Sequence, residues 1–113
     1  MDRVLERVGP DLVISCAAAV EDWDTTARGP VHVAAAAARV GARLVHISSD
    51  VVFGGREAPY REDDRPSPVT PYGAAKAAAE LAVPLVHPGA AIVRTSLIIS
   101  SDGRTERERV VRD

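Results

Sequence analysis

The 113 residues (12.0 kDa) suit one domain of ordinary size and leave no room for two. A hydrophobic content of 46% supports a core and 27% charged residues is near average, which together exclude a disordered tail. A net charge of -2 and a pI near 5.9 give no footprint for nucleic acid or an anionic membrane. No apolar run approaches the roughly 20 residues that span a bilayer. The start, MDRVLERVGPDLV, lacks the basic and apolar regions of a secretory signal. The single cysteine, Cys16, can build neither an internal disulfide nor a thiolate cage, so a reducing, cytoplasmic setting is expected.

In chain order, Asp2–Val8 reads as a helix end, with Val4, Leu5 and Val8 on one face, stopped by Gly9-Pro10. Residues 12–16 (LVISC) form a short unbroken apolar run, the pattern of a strand buried on both faces of a parallel sheet. Residues 20–28 are polar and irregular apart from Trp23. Pro30 opens a helix over residues 31–40 that Gly41 ends. A second strand follows at 43–47 (RLVHI), then a long loop over 48–70 rich in Gly, Pro and acidic residues. Thr70 as N-cap and Pro71 as first residue predict a helix from 71 to about 82. Ala91–Thr95 is a third strand, 100–103 a turn, and 104–113 a solvated helix or frayed tail. Strand–helix alternation of this kind predicts an α/β fold with a parallel sheet and right-handed crossovers. The alanine clusters at 34–38 and 77–79 read as close-packing helix faces.

Among fourteen basic residues only one is lysine, Lys76. It lies four residues after Tyr72, so both project from one face of the predicted helix. Ser49 falls just past the C-terminal end of a parallel strand, where α/β sheets place ligands. Hydride transfer at a carbon bearing oxygen wants such a trio. A phenol can give or take the oxygen's proton if its pKa of about 10 is lowered. An ammonium nearby favours the phenolate, and a serine hydroxyl can hydrogen-bond the substrate oxygen. A compact ammonium also reaches a ribose hydroxyl in a way arginine's wide fork does not. The bland alternative is that Tyr72 merely opens a helix and Lys76 is solvated, because Tyr-x-x-x-Lys spacing is common.

The block HISSDVVFGGREAPYREDDRPSPVTPYGAAKAAAE, with PDLVISCAAA before it and VRTSLI after it, resembles the extended short-chain dehydrogenases/reductases. Within them it is closest to the dTDP-4-dehydrorhamnose reductase group, over nearly the whole chain. The resemblance implies catalytic roles for Ser49, Tyr72 and Lys76, and NAD or NADP lined by Ala17, Ala18 and Ile47 as well as Tyr72 and Lys76. It implies that Asp50, with Ser49, contacts a nucleotide-sugar substrate reduced at a 4-keto group. The competing class is a non-catalytic sugar-nucleotide- or partner-binding protein on the same scaffold.

Departures from the group fall on the substrate side. An aromatic after Asp50 is replaced by Val51, and a tryptophan by Leu97. The asparagine after the strand is Ser15, and one that supports proton relay is replaced by Thr26, at the end of a shortened stretch. No G-x-x-G-x-x-G occurs. Residues 1–113 are therefore expected to form a partial Rossmann-like NAD(P)-binding domain of three-layer type, equivalent to the second half of the doubly wound sheet, without the first βαβ units. The outer edge of the first strand is expected to attract a second copy or a complementing chain. Among the remaining residues, His32, His46 and His87 lack metal-ligand spacing. Cys16 reads as a core residue and Trp23 as a plug of the short loop in preference to a cover for the cofactor's adenine. The Glu62-Asp63-Asp64 run reads as a solvated loop, although the resemblance implies that this region closes near the sugar nucleotide.

Overall fold

The structure, a computed structural model, describes residues 2–56 and 59–96. Helix α1 (Asp2–Val8) leads into β1 (Leu12–Ser15), α2 (Gly29–Arg39), β2 (Arg43–Ser49), α3 (Pro71–Val86) and β3 (Ala91–Thr95). The strands are parallel in the order β1-β2-β3, with Ile14 beside Val45 and Ile47 beside Val93. Gly9 and Gly41 end α1 and α2 at φ values of 62° and 73°, a conformation that costs any other residue a steric penalty. The expected turn at 100–103, the charged end at 104–113 and Leu97 lie outside the described residues.

Both crossover helices settle on the same face of the sheet. Ala34 of α2 and Val83 of α3 pack with Leu44, Val13 and Ile92, one residue from each strand. Leu5 of α1 joins at the edge, against Ala36, Ala37 and Ala42. Alternation then sends Leu12, Ile14, Val45, Ile47 and Val93 to the opposite face. The described residues thus supply two of the expected three layers. For the same reason β1 is buried on one face and not two, with Ile14 60% exposed. Cys16, beyond its end, is exposed and is not a core residue.

Three boundaries move for identifiable reasons. The helix expected from residue 31 begins earlier, through one wide π turn at Asp24–Arg28 closed by the Gly29 N–H on the Asp24 carbonyl. Pro30 has no N–H to continue an ordinary ladder back to Thr26, and the wider turn absorbs the gap. Helix α3 runs past Pro84 to Val86, and the His87 N–H still reaches the Val83 carbonyl. Strand β2 extends through Ser48 and Ser49 because both pair with β3.

The helix-facing side of β2 also buries polar groups. Ser48 is hidden, and His46 is 1% exposed with neither ring nitrogen hydrogen-bonded among the described residues. Lys76 and Glu80 face it from α3, and Ser15 flanks it from β1. Burial above all, and then the Lys76 charge, hold the imidazole down at about 4, against the pull of Glu80.

Just past the C-terminal end of β2, α3 starts hard against the chain leaving that strand. A Cβ on Gly73 would strike the Val51 carbonyl oxygen and lie 3.0 Å from the capping Thr70 hydroxyl. Gly73→Ala is expected to cost about 1–3 kcal/mol in urea denaturation, since neither backbone can yield without moving the other. A second outcome concerns acid. The unfolded chain protonates His46 near its ordinary value of 6.5 and the folded chain only near 4. Stability should therefore fall as pH drops through that window. His46→Leu should flatten that fall, read as thermal midpoints at pH 7, 5.5 and 4.5.

Candidate active site

Strand alternation at the end of β2 sends two adjacent serines to opposite fates. Ser48 turns inward and donates its hydroxyl to Glu80 Oε2 at 2.6 Å. Ser49 turns outward and caps the 3-10 turn Asp50–Val52, its hydroxyl oxygen accepting the Val51 N–H at 3.3 Å. Its own proton points at the Asp50 carboxylate across a long, exposed 3.4 Å contact. A ligand oxygen could replace so weak a partner. Asp50 itself is exposed.

Helix α3 opens with Thr70, whose hydroxyl accepts the Gly73 N–H at 3.0 Å, and Pro71 follows at the first helical position. Tyr72 is half-buried in the first turn, and Lys76 is buried one turn later. The Lys76 ammonium donates to the Ile47 carbonyl at 2.8 Å, which brings it to the strand end that carries Ser49. Burial pushes its pKa below the ordinary lysine value, opposed by Glu80 and Cys16. Among the described residues no hydrogen bond joins Tyr72 to Ser49 or Lys76. The close approach of Gly73 to Val51 is what sets the first turn of α3 beside the segment leaving Ser49.

On the β1 side, Ala17 and Ala18 are exposed, and Ala17 lines a cleft of about 430 Å³ with Ser15, Asp24, Thr25 and Pro30. Thr26, expected in place of a relay residue, has its hydroxyl committed on both sides. It donates to the Ala19 carbonyl at 2.7 Å and accepts the Ala19 N–H at 3.0 Å, closing the short stretch between β1 and α2. Trp23 is not its plug: it stands half-exposed beside Ala27, Ala78 and Ala82.

Sequence reading missed the groups that hold this end of the sheet together. Arg94 forks onto Glu80, with Nη2 2.8 Å from Oε1 and Nε 3.2 Å from both carboxylate oxygens. Its Nη1 donates to the Glu62 carbonyl, so the acidic run is tied down there and by an Arg56–Asp64 ion pair at 2.7 Å. Glu80 and Arg94 sit inside the family-like segments AAAE and VRTS, but nothing in their spacing marks them as partners. Among the described residues no group of three His, Cys, Asp or Glu could hold a metal ion, and no helix is long and apolar enough to cross a membrane.

Comparison with known proteins supplies the context. Residues 1–112 match the RmlD substrate binding domain. The dTDP-4-dehydrorhamnose reductase of Mycobacterium tuberculosis is 42% identical over 103 residues, covering 78% of this chain and 34% of that protein. The bovine (Bos taurus) methionine adenosyltransferase 2 subunit beta is 39% identical over 101 residues, covering 89% of this chain and 30% of that protein. A solved dTDP-4-dehydrorhamnose reductase from Bacillus anthracis, in complex with NADP, superposes with a TM-score of 0.85 at 35% identity. That match covers 98% of this chain and 44% of the other. The chain spans about a third of the length of the curated relatives it matches. With its parallel three-stranded sheet and a match over nearly its entire length, the chain belongs to the RmlD substrate-binding-domain family, whose members include sugar-nucleotide reductases.

Proposed function

We propose that this chain carries the acid/base half of a sugar-nucleotide reductase site that works with NAD or NADP. The observation that carries the reading is Lys76: the chain's sole lysine is buried, one helical turn after Tyr72, with its ammonium on the Ile47 carbonyl. An ammonium has three donors, and that bond uses one. Two remain for ribose hydroxyls or for the phenol, which its charge would favour in the ionised form. The residues present suit the nicotinamide end of a dinucleotide. Ala17 and Ala18 offer no bulk, and Ile47 lies on the open sheet face. Among the described residues no glycine-rich turn leads into a helix for the pyrophosphate, since Gly54 and Gly55 sit in a loop.

When bound, a reduced nicotinamide would supply the hydride for a carbonyl carbon of the substrate and be oxidised in turn. Tyr72 then gives its phenolic proton to the developing alkoxide, and Lys76 stabilises the phenolate left behind. Ser49 exchanges its long contact to Asp50 for a hydrogen bond to the substrate oxygen, and Asp50 is free to accept from a sugar hydroxyl. The substrate class is a nucleotide sugar with a 4-keto group.

One observation favours a second reading. A relative matched over 89% of the chain is named for a subunit of an adenosyltransferase and not for a reductase. On that reading the scaffold binds a nucleotide, a sugar nucleotide or a protein partner without turnover. A screen of dTDP- and UDP-4-keto sugars with NADH and NADPH separates the two: oxidation of the cofactor supports the first, binding without oxidation the second.

In any longer active protein carrying this segment, Tyr72→Phe is expected to lower kcat about 100- to 10,000-fold while the cofactor dissociation constant stays nearly unchanged. Retained turnover would remove Tyr72 from the role. The 113-residue chain alone should bind NADH more weakly than about 1 mM in calorimetry, a free energy smaller in magnitude than about 4 kcal/mol. It should also associate with a second copy or a complementing chain along the open edge of β1. A micromolar dissociation constant from a monodisperse monomer would overturn both expectations.

A further inference from the structure

Resting on the reading of Ser49 and Tyr72 as site residues, we propose that Glu80 and Arg94 are positioning residues. Their buried ion pair holds the loop that joins those two side chains and so sets their relation. All three guanidinium nitrogens of Arg94 are engaged: Nε and Nη2 on Glu80, and Nη1 on the Glu62 carbonyl at 3.1 Å. Its carbon lies 4.8 Å from the centre of the Phe53 ring. Phe53 in turn stacks on Tyr60 at 3.9 Å and 9°, and Arg56 covers the Tyr60 ring at 4.2 Å. Asp64 closes the group, pairing with Arg56 and accepting the Arg61 N–H at 2.7 Å. At the mouth of the loop the Ser67 N–H reaches the Val52 carbonyl at 2.7 Å. The loop is thus a small body with its own contacts, tied to β3 through Arg94 and anchored at its start by the fully buried Val52.

Both ends of that body adjoin the site. Ser48, held by Glu80 Oε2, is the chain neighbour of Ser49. Val51, whose carbonyl abuts Gly73, connects the loop's start to the neighbour of Tyr72. A shift of the loop reaches each site residue through one or two peptides. Exposed ion pairs rarely matter this much, but the Glu80 side chain is 6% exposed and that of Arg94 20%, so neither partner is released into water without cost. The geometry also demands a fork. A lysine would keep the charge, yet one ammonium cannot bridge a carboxylate, meet the Glu62 carbonyl and lay a flat face on Phe53.

Amide hydrogen exchange on the 113-residue chain with Arg94→Lys tests the assignment. The loop amides of Gly54, Asp64 and Ser67, and the site amides of Val51 and Gly73, should exchange about tenfold faster or more. The amides of Ala42 and Arg43, bonded to Ala37 and Asp11 far from the loop, should hold their rates. Acceleration of the loop with Val51 and Gly73 unchanged would overturn the positioning role and leave Arg94 a tether alone. Equal acceleration everywhere would overturn it too, making the pair an ordinary core contact. If Arg94→Lys does not fold, Glu80→Gln, which keeps an acceptor for Ser48 and removes the charge of the pair, decides by the same amides. The measurement uses neither cofactor nor substrate, so a failed binding or turnover assay falls on the reading of the site and not on this inference.

Discussion

Two ionisable side chains of opposite type, Lys76 and Glu80, lie one turn apart on α3 and are buried against the end of β2. Removing such groups from water costs several kcal/mol each unless the protein replaces the lost hydrogen bonds and neutralises the charge. Each has found its replacement on a different part of the chain. Lys76 donates a hydrogen bond to a backbone carbonyl of β2; Glu80 accepts one from Ser48 and is paired with Arg94 of β3. The packing of α3 is therefore constrained in rotation and in height. A turn of the helix by even one residue would strand a charge in the interior.

Close approach is what makes those contacts reachable. Besides Lys76 and Glu80, the buried positions of α3 are Gly73, Ala75, Ala77, Ala79 and Val83, and those of α2 are Pro30, Ala34, Ala36 and Ala37. With so little side-chain bulk between helix and sheet, the Lys76 and Glu80 side chains can reach the strand they lie over. Leu44 and Val83 fill the part of the interface away from the polar strip. Small residues give up the area that large ones would bury, about 25 cal/mol per Å² of apolar surface. The polar strip and the ion pair supply order in its place, while the His46 ring finds no hydrogen bond among the described residues.

The opposite face of the sheet has a different character. Leu12, Ile14 and Val93 are each at least 41% exposed there, and Val45 and Ile47 are only partly covered. Because both crossovers place their helices on one side, nothing in the described residues can shield these positions. The candidate site lies where the two faces meet, at the C-terminal ends of the strands. Lys76 reaches it from the helix side, and Ile47 and Ser49 border it from the open side.

Much of this was legible in the residues. Gly-Pro and Gly stops, Thr-Pro starts and short apolar runs give the order of elements, because each acts over a few residues of chain. A lone lysine four residues after a tyrosine, in a segment of family-like pattern, is enough to mark the candidate site. Other features were hidden for a common reason. Arg94 and Glu80 are 14 residues apart, Ser48 and Glu80 32, and Ser49 meets Thr95 only through strand pairing. No local spacing connects such partners. Pattern also could not say that β1 would be covered on one side only, since an unbroken apolar run looks the same whether one face or two is packed. The sequence by itself determined which segments become helix and strand and which residue types can do chemistry. Only the tertiary structure decided which face is buried, which serine turns inward, and which charges meet, because those depend on contacts between segments far apart in the chain.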